Sequence, residues 1–163
     1  MSSRHYRCWR ICWCAIFGSH IVTELLANID VDDLEAAVEF YTRALELEVG
    51  RRLEEFAAVE LVGAGSRIYL LEREAATSPN AGSQTGRNYQ RHWTPVHLDF
   101  VVEDLDAAVE RAQAAGASLE TKTEAQVWGR LAVMADPFGH GFCLLQFIGR
   151  GYDEIAEPSG KAK

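Results

Sequence analysis

Two stretches of the chain carry apolar residues at helical spacing. Residues 32–45, "DDLEAAVEFYTRAL", place them on one stripe, and Asp32 or Asp33 offers a carboxylate for the unpaired amides of the first turn. Residues 103–117, "EDLDAAVERAQAAGA", repeat the pattern and reach a glycine, Gly116, that is typical of a helix end. The pattern therefore predicts two amphipathic helices, the first with an acidic N-cap.

Short strand-like runs surround both helices. One run precedes each helix and three follow it, separated by turn-forming residues. In the first half these runs are 23–31, 48–54, 56–62 and 66–73, and in the second half 96–102, 118–126, 129–136 and 141–147. Each half of the chain thus reads as β-α-β-β-β.

The two halves also resemble each other in sequence. "VDDLEAAVEF" at 31–40 and "VEDLDAAVER" at 102–111 are identical at seven of ten positions. "GSRIYLLE" at 65–72 corresponds to "GHGFCLLQ" at 139–146, with the glycine and the Leu-Leu pair in common. Because both matches occur in the same order within the same string of elements, we interpret the chain as an internal duplication.

The duplication sets the expected organisation of the chain. We predict a non-domain N-terminal extension at 1–22, a first module at 23–73, a linker or lid at 74–95, a second module at 96–148 and a polar, frayed tail at 149–163. The linker prediction rests on many turn-forming residues without periodicity.

Composition narrows the class of partner. A net charge of −8 argues against nucleic acid, which needs a basic surface. No apolar run is long enough to span a membrane.

Three of the four cysteines lie in the N-terminal extension with a spacing that fits neither a zinc pair nor a disulfide framework. A signal peptide is the alternative interpretation of the extension, but its apolar stretch is short and no A-x-A-like site follows. We expect a cytoplasmic protein without nucleic-acid or membrane partners.

The paired modules resemble the vicinal oxygen chelate superfamily, which includes glyoxalases, bleomycin-resistance proteins and extradiol dioxygenases. The most specific pieces are "V-x-DL-x-AAVEFY" and the ending "DPFGHGFCLLQF". The resemblance covers residues 23–148. It implies an α+β glyoxalase-like fold, in which two tandem βαβββ modules form a curved mixed sheet with a concave ligand cleft, often in a homodimer.

The same resemblance implies where a metal would be held. Metal enzymes of the superfamily place one His, Glu or Gln ligand on the first strand and one on the last strand of each module. In this chain the four corresponding residues are Leu26, Tyr69, His97 and Cys143. Leucine has no donor atom and tyrosine is an uncommon ligand, while a catalytic metal normally needs three protein ligands. We expect no metal cofactor; if a divalent metal is bound after all, His97 is its predicted ligand.

Strand alternation identifies the side chains that face the cleft. Asn28 shares a face with Leu26, and Asp99 shares a face with His97, where it could orient the imidazole. The predicted ligand-binding residues are Asn28, Tyr69, His97, Asp99, Trp128 and Cys143. For each of them a structural role remains the alternative: a hydrogen bond within the sheet for His97, packing for the aromatic residues, and a small buried hydrophobic side chain for Cys143.

The sequence therefore leads to one main functional hypothesis and two alternatives. The main hypothesis is a homodimeric protein that binds a small organic molecule in the cleft without the usual catalytic metal. The first alternative is a metal-dependent glyoxalase-like lyase or isomerase, or a dioxygenase-like enzyme, that uses His97 as one ligand. The second is a stress-related or interaction protein whose cleft is vestigial.

Overall fold

The computed structural model describes residues 23–92 and 94–157. The predicted N-terminal extension, Trp93 and residues 158–163 lie outside the described residues. Within the described part of the chain, no helix is long and apolar enough to cross a membrane.

Each half of the chain folds as the predicted β-α-β-β-β unit. The first module consists of β1 (Leu26–Val31), α1 (Leu34–Leu45), β2 (Glu48–Leu53), β3 (Ala58–Val62) and β4 (Arg67–Glu72). The second consists of β5 (Leu98–Val101), α2 (Leu105–Ala114), β6 (Ser118–Leu119), β7 (Glu124–Gln126), β8 (Gly129–Ala135) and β9 (Gly141–Phe147). The α+β class and the two-module architecture are confirmed.

The two helices begin at equivalent acidic caps. The Asp33 side chain accepts a hydrogen bond from the Ala36 amide at 3.0 Å, and the Asp104 side chain accepts one from the Ala107 amide at 3.1 Å. Beyond α2, Gly116 has a φ of 116°, a left-handed conformation that glycine adopts without strain. The repeated sequence therefore encodes a repeated helix start.

The strands form two open mixed sheets rather than one continuous sheet. The first has the order β1-β4-β3-β2, and the second has the order β5-β9-β8-β6 with β7 also paired to β8. β1 with β4 and β5 with β9 are parallel pairs, and the other pairs are antiparallel. The first strand of each module is thus an edge strand of its sheet.

One hydrophobic core joins the modules. It contains residues of both helices and the inward faces of both sheets, with Leu70, Leu105 and Leu144 fully buried. Inside it, the Tyr41 hydroxyl of α1 donates a 2.6 Å hydrogen bond to the Asp136 carboxylate, which follows β8. The modules are held together by apolar packing and by this buried polar contact.

The structure corrects two local expectations in the second half. The predicted strand 118–126 is two short strands, β6 and β7, which pair with different parts of β8. The tail begins with an ordered 3₁₀ turn, Gly151–Glu154, in which Arg150 pairs with Glu154. His140, in the turn before β9, is half-buried, and its Nε2 donates to the Asp30 carbonyl oxygen at 2.8 Å.

Candidate functional site

The face of each sheet opposite the helices carries five of the six predicted ligand-binding residues. Ala27, Ile29 and Phe100 pack against the core on the helix side. Strand alternation then directs Asn28 and Asp99 to the opposite side. We call this side the cleft face; its residues are Asn28 and Tyr69, which pair across β1 and β4, and His97, Asp99 and Cys143, which lie on or next to β5 and β9.

His97, Asp99 and Cys143 form one cluster. Asp99 pairs with Cys143 across the parallel strands, and His97 immediately precedes β5. His97 Nδ1 lies 2.8 Å from Asp99 Oδ1 and 4.0 Å from Cys143 Sγ. Asp99 therefore lies within hydrogen-bonding distance of the His97 imidazole. The His97 side chain is 52% exposed, and its Nε2 makes no hydrogen bond to any described residue.

Cys143 is the buried member of the cluster. It is 7% exposed, as expected for a small hydrophobic side chain. Burial raises the pKa of its thiol to about 11, and the nearby Asp99 carboxylate adds to the rise. The thiol is therefore protonated near neutral pH, which disfavours it as a nucleophile or metal ligand.

On the first sheet, Tyr69 belongs to an ion-pair cluster around Glu60. Glu60, 3% exposed, lies on β3 and pairs with Tyr69 on β4. Arg51 donates to its two carboxylate oxygens from Nε at 2.8 Å and from Nη2 at 2.6 Å, and the Tyr69 hydroxyl donates to Oε1 at 2.8 Å. These hydrogen bonds hold the pKa of Glu60 at about 2 despite its burial.

The role of Arg51 was not predicted from the sequence. Glu60 stands alone as a charge in the apolar run Ala58–Val62, and a buried carboxylate needs a partner. That signal indicates a cation nearby but not which one, because the pairing of β2 with β3 shifts register between Val49 and Arg52.

The structure places Trp128 apart from the His97 cluster. Its ring packs on Tyr152 with centroids 5.1 Å apart, at the turn where Gly129 pairs with Phe147. Cys143 lies four residues earlier on β9, which is roughly 13 Å along a strand. No described hydrogen bond links the His97 cluster to Asn28 or Tyr69 either. Contact of Trp128 with a ligand remains a prediction.

The donor atoms do not fit the metal centre that the superfamily implies. On the first sheet, Leu26 offers no donor, and both oxygens of Glu60 are engaged by Arg51. On the second, the donor atoms of His97, Asp99 and Cys143 lie within 4.8 Å of one another. However, a metal there would have to displace the His97–Asp99 hydrogen bond and deprotonate Cys143.

Comparison with known proteins identifies the family of the chain. Residues 27–145 match the glyoxalase-like domain family. The chain belongs to this family, within the vicinal oxygen chelate superfamily. The glyoxalase-like chain is also 34% identical over 126 residues to the uncharacterized proteins Mb0911c of Mycobacterium bovis and Rv0887c of Mycobacterium tuberculosis. The match covers 75% of this chain and 82% and 73% of those two proteins.

Solved structures show the same fold at lower identity. The fosfomycin resistance protein FosX from Listeria monocytogenes superposes with a TM-score of 0.60 at 20% identity, covering 79% of this chain and 96% of that one. TioX from Micromonospora sp. ML1 has a TM-score of 0.59 at 19% identity, covering 78% and 100%. A glyoxalase/bleomycin resistance protein/dioxygenase from Nocardioides has a TM-score of 0.57 at 22% identity, covering 82% and 89%.

Proposed function

We propose that this glyoxalase-like protein binds a small organic molecule on its cleft face without a catalytic metal. The proposal rests on the exposure and the hydrogen bonds of the His97 side chain. Its ring is half exposed, Asp99 fixes its Nδ1, and its Nε2 has no partner among the described residues. An imidazole held in this way can form a hydrogen bond with a ligand through its Nε2 atom.

The charge arrangement supports a metal-free site. Glu60 pairs with Arg51 and Asp30 pairs with Arg87, so neither of these carboxylates of the first sheet is free to bind a cation. On that sheet Asn28 offers an uncharged polar group, while the Tyr69 hydroxyl is engaged by Glu60 and Arg51. Arg67, on the same face as Tyr69, lies 3.6 Å from both Glu24 and Glu60. On the second sheet, Cys143 is a protonated thiol beside His97. Such a surface favours a neutral or weakly polar molecule with hydrogen-bonding groups.

The test is a thermal-shift screen followed by titration. A panel of aromatic and carbonyl-containing small molecules is screened against the wild type, and each hit is titrated by calorimetry against His97→Ala. His92→Ala is the matched control, because His92 is an exposed histidine whose Nδ1 bonds only the Gln90 carbonyl. We expect at least tenfold weaker binding for His97→Ala and unchanged binding for the control. Equal binding by both variants would remove His97 from the site, and a screen without hits would favour a vestigial cleft.

A second candidate function is a metal-dependent lyase or isomerase, or a dioxygenase-like enzyme. The convergence of three donor atoms on the second sheet favours it. His97, Asp99 and Cys143 would hold the cation, which would polarise a substrate oxygen. Titration with Co²⁺ tests this, because a bound thiolate produces a charge-transfer absorption that Cys143→Ser abolishes. Absence of that band at millimolar Co²⁺ rejects the candidate.

We also propose a cytoplasmic homodimer, as the superfamily resemblance implies. Two copies could shield the cleft faces from water more completely than one copy does. Sedimentation velocity of the full chain gives the oligomeric state directly. A monomer at micromolar concentration would contradict the dimer but would leave the ligand titrations interpretable.

A further inference from the structure

A groove of about 780 Å³ lies between the two modules on the helix side of the sheets. Its apolar walls come from the edge strands β1 and β5 and from the end of α1, and include Ala27, Leu45, Leu47, Ile68 and Phe100. Ala27 and Ile68 pair across β1 and β4 and point away from the cleft face. The groove therefore lies on the opposite side of the first sheet from Asn28 and Tyr69, and on the second sheet it borders the His97 cluster at Asp99.

The internal duplication shows what covers the equivalent place in the other half. The turn before β9 is packed by the linker: a Cβ on Gly139 would lie 2.6 Å from the Tyr89 carbonyl oxygen. In the same linker, Arg87 pairs with Asp30 at the end of β1 at 2.6 Å. In the repeat, Gly65 corresponds to Gly139, yet a Cβ there would meet no described atom within 4 Å. The groove is thus equivalent to the place that the linker covers in the other half, and no described residue covers it.

The same correspondence identifies the segment that belongs in the groove. The helices are offset by 71 residues, so linker residues 87–91 correspond to residues 16–20, which precede β1 as the linker precedes β5. Asp30 corresponds to Val101, a groove residue that is 61% exposed, and Arg87 corresponds to Ile16. The Arg87–Asp30 ion pair thus corresponds to two apolar residues, Ile16 and Val101. This substitution is expected if Ile16 and Val101 also contact each other.

The charge of the groove lining also favours binding of the N-terminal segment. Four acidic residues, Glu46, Asp99, Glu103 and Asp104, line the groove, against a single cation, Arg111, which already pairs with Glu46 at 3.1 Å. Residues 1–20 contain three arginines and no acidic residue, and an apolar run, "ICWCAIF", at 11–17. A basic and apolar segment complements an apolar groove with an acidic rim.

We propose that this groove is the docking site for the N-terminal segment of the same chain, with residues 16–20 seated against the turn at Gly65. Docking covers the apolar wall and places Ile16 on Val101. It makes the N-terminal segment part of the fold, in contrast to the extension outside the fold that the sequence alone predicted.

Disulfide trapping in the full chain tests the docking, because Cys12 and Cys14 are native probes next to the seated residues. Ser66→Cys places a thiol in the groove, and Ser83→Cys places one at a half-buried serine of the linker as the matched control. In a glutathione redox buffer we expect Ser66→Cys to bridge to Cys14 or Cys12 about tenfold faster than Ser83→Cys, because docking raises the effective concentration. Peptide mass mapping assigns the bridges, and mixing isotope-labelled with unlabelled chains separates bridges within a chain from those between chains.

A charge swap provides an independent measurement. Val101→Asp alone should slow the trapping several-fold, since it introduces a carboxylate opposite Ile16. Ile16→Arg combined with Val101→Asp should restore the rate, because it recreates the pair seen between Arg87 and Asp30. Equal trapping rates for Ser66→Cys and Ser83→Cys, bridges chiefly between chains, or no recovery in the double variant would each overturn the proposal.

Discussion

The thiol of Cys143 gives a sharp test of the His97 cluster. At a pKa of about 11, roughly one thiol in a thousand is ionised at pH 8, compared with roughly one in four for an ordinary cysteine with a pKa near 8.5. Alkylation by iodoacetamide follows the thiolate fraction, so Cys143 should react roughly 200-fold more slowly than an ordinary thiol from this cause alone. Its low exposure slows the reaction further.

The pH dependence of the alkylation rate distinguishes the effect of thiol ionisation from the effect of burial. The rate at Cys143, followed by peptide mass spectrometry, should keep rising about tenfold per pH unit from pH 8 to pH 10. Asp99→Asn removes the nearby charge and should raise the rate at pH 8 several-fold, while burial keeps the pKa above its usual range. Asp153→Asn, at an exposed position, is the control for the change in net charge. A wild-type rate that levels off below pH 9 would refute the reasoning and would indicate a stabilised thiolate.

Three further predictions concern stability. Tyr41→Phe removes a buried hydrogen bond to the Asp136 carboxylate and should cost about 2 kcal/mol in denaturant unfolding, without a change in secondary structure. Glu60 has a lowered pKa in the fold, so it stabilises the protein above its unfolded pKa near 4.3 and loses this contribution as the pH falls towards about 2. The difference in unfolding free energy between wild type and Glu60→Gln should therefore shrink from pH 5 to pH 2. Gly139→Ala, with a φ of 90° and a Cβ in collision with backbone, should lose more than about 1 kcal/mol, whereas Gly82→Ala should change little.

The features that the sequence predicted are local or repeated. The N-cap Asp33 and the order of elements follow from period and turn chemistry, and the repeat extends the same cap to Asp104 in the structure. The proximity of His97 to Asp99 follows from strand parity, since residues two apart share a face. The absence of a donor at Leu26 is visible once the repeats are aligned.

The features that it did not predict depend on register and on distant contacts. Arg51 reaches Glu60 across a pair of strands with a register shift, and Arg87 reaches Asp30 over 57 residues of chain. Trp128 was assigned to the cleft from its neighbouring strand, but the pairing of Gly129 with Phe147 sets it at the far end of β9. Alternation gives the face of a strand but not the position along it.

Metal content of the full chain tests the central claim most directly. The protein is purified without chelator and analysed by inductively coupled plasma mass spectrometry, in parallel with His97→Ala. If the cleft binds its ligand without a cation, both proteins carry only substoichiometric zinc, iron, nickel or manganese. One equivalent of a divalent metal in the wild type that is lost in His97→Ala would contradict a metal-free cleft and would establish the cluster on β5 and β9 as a metal centre.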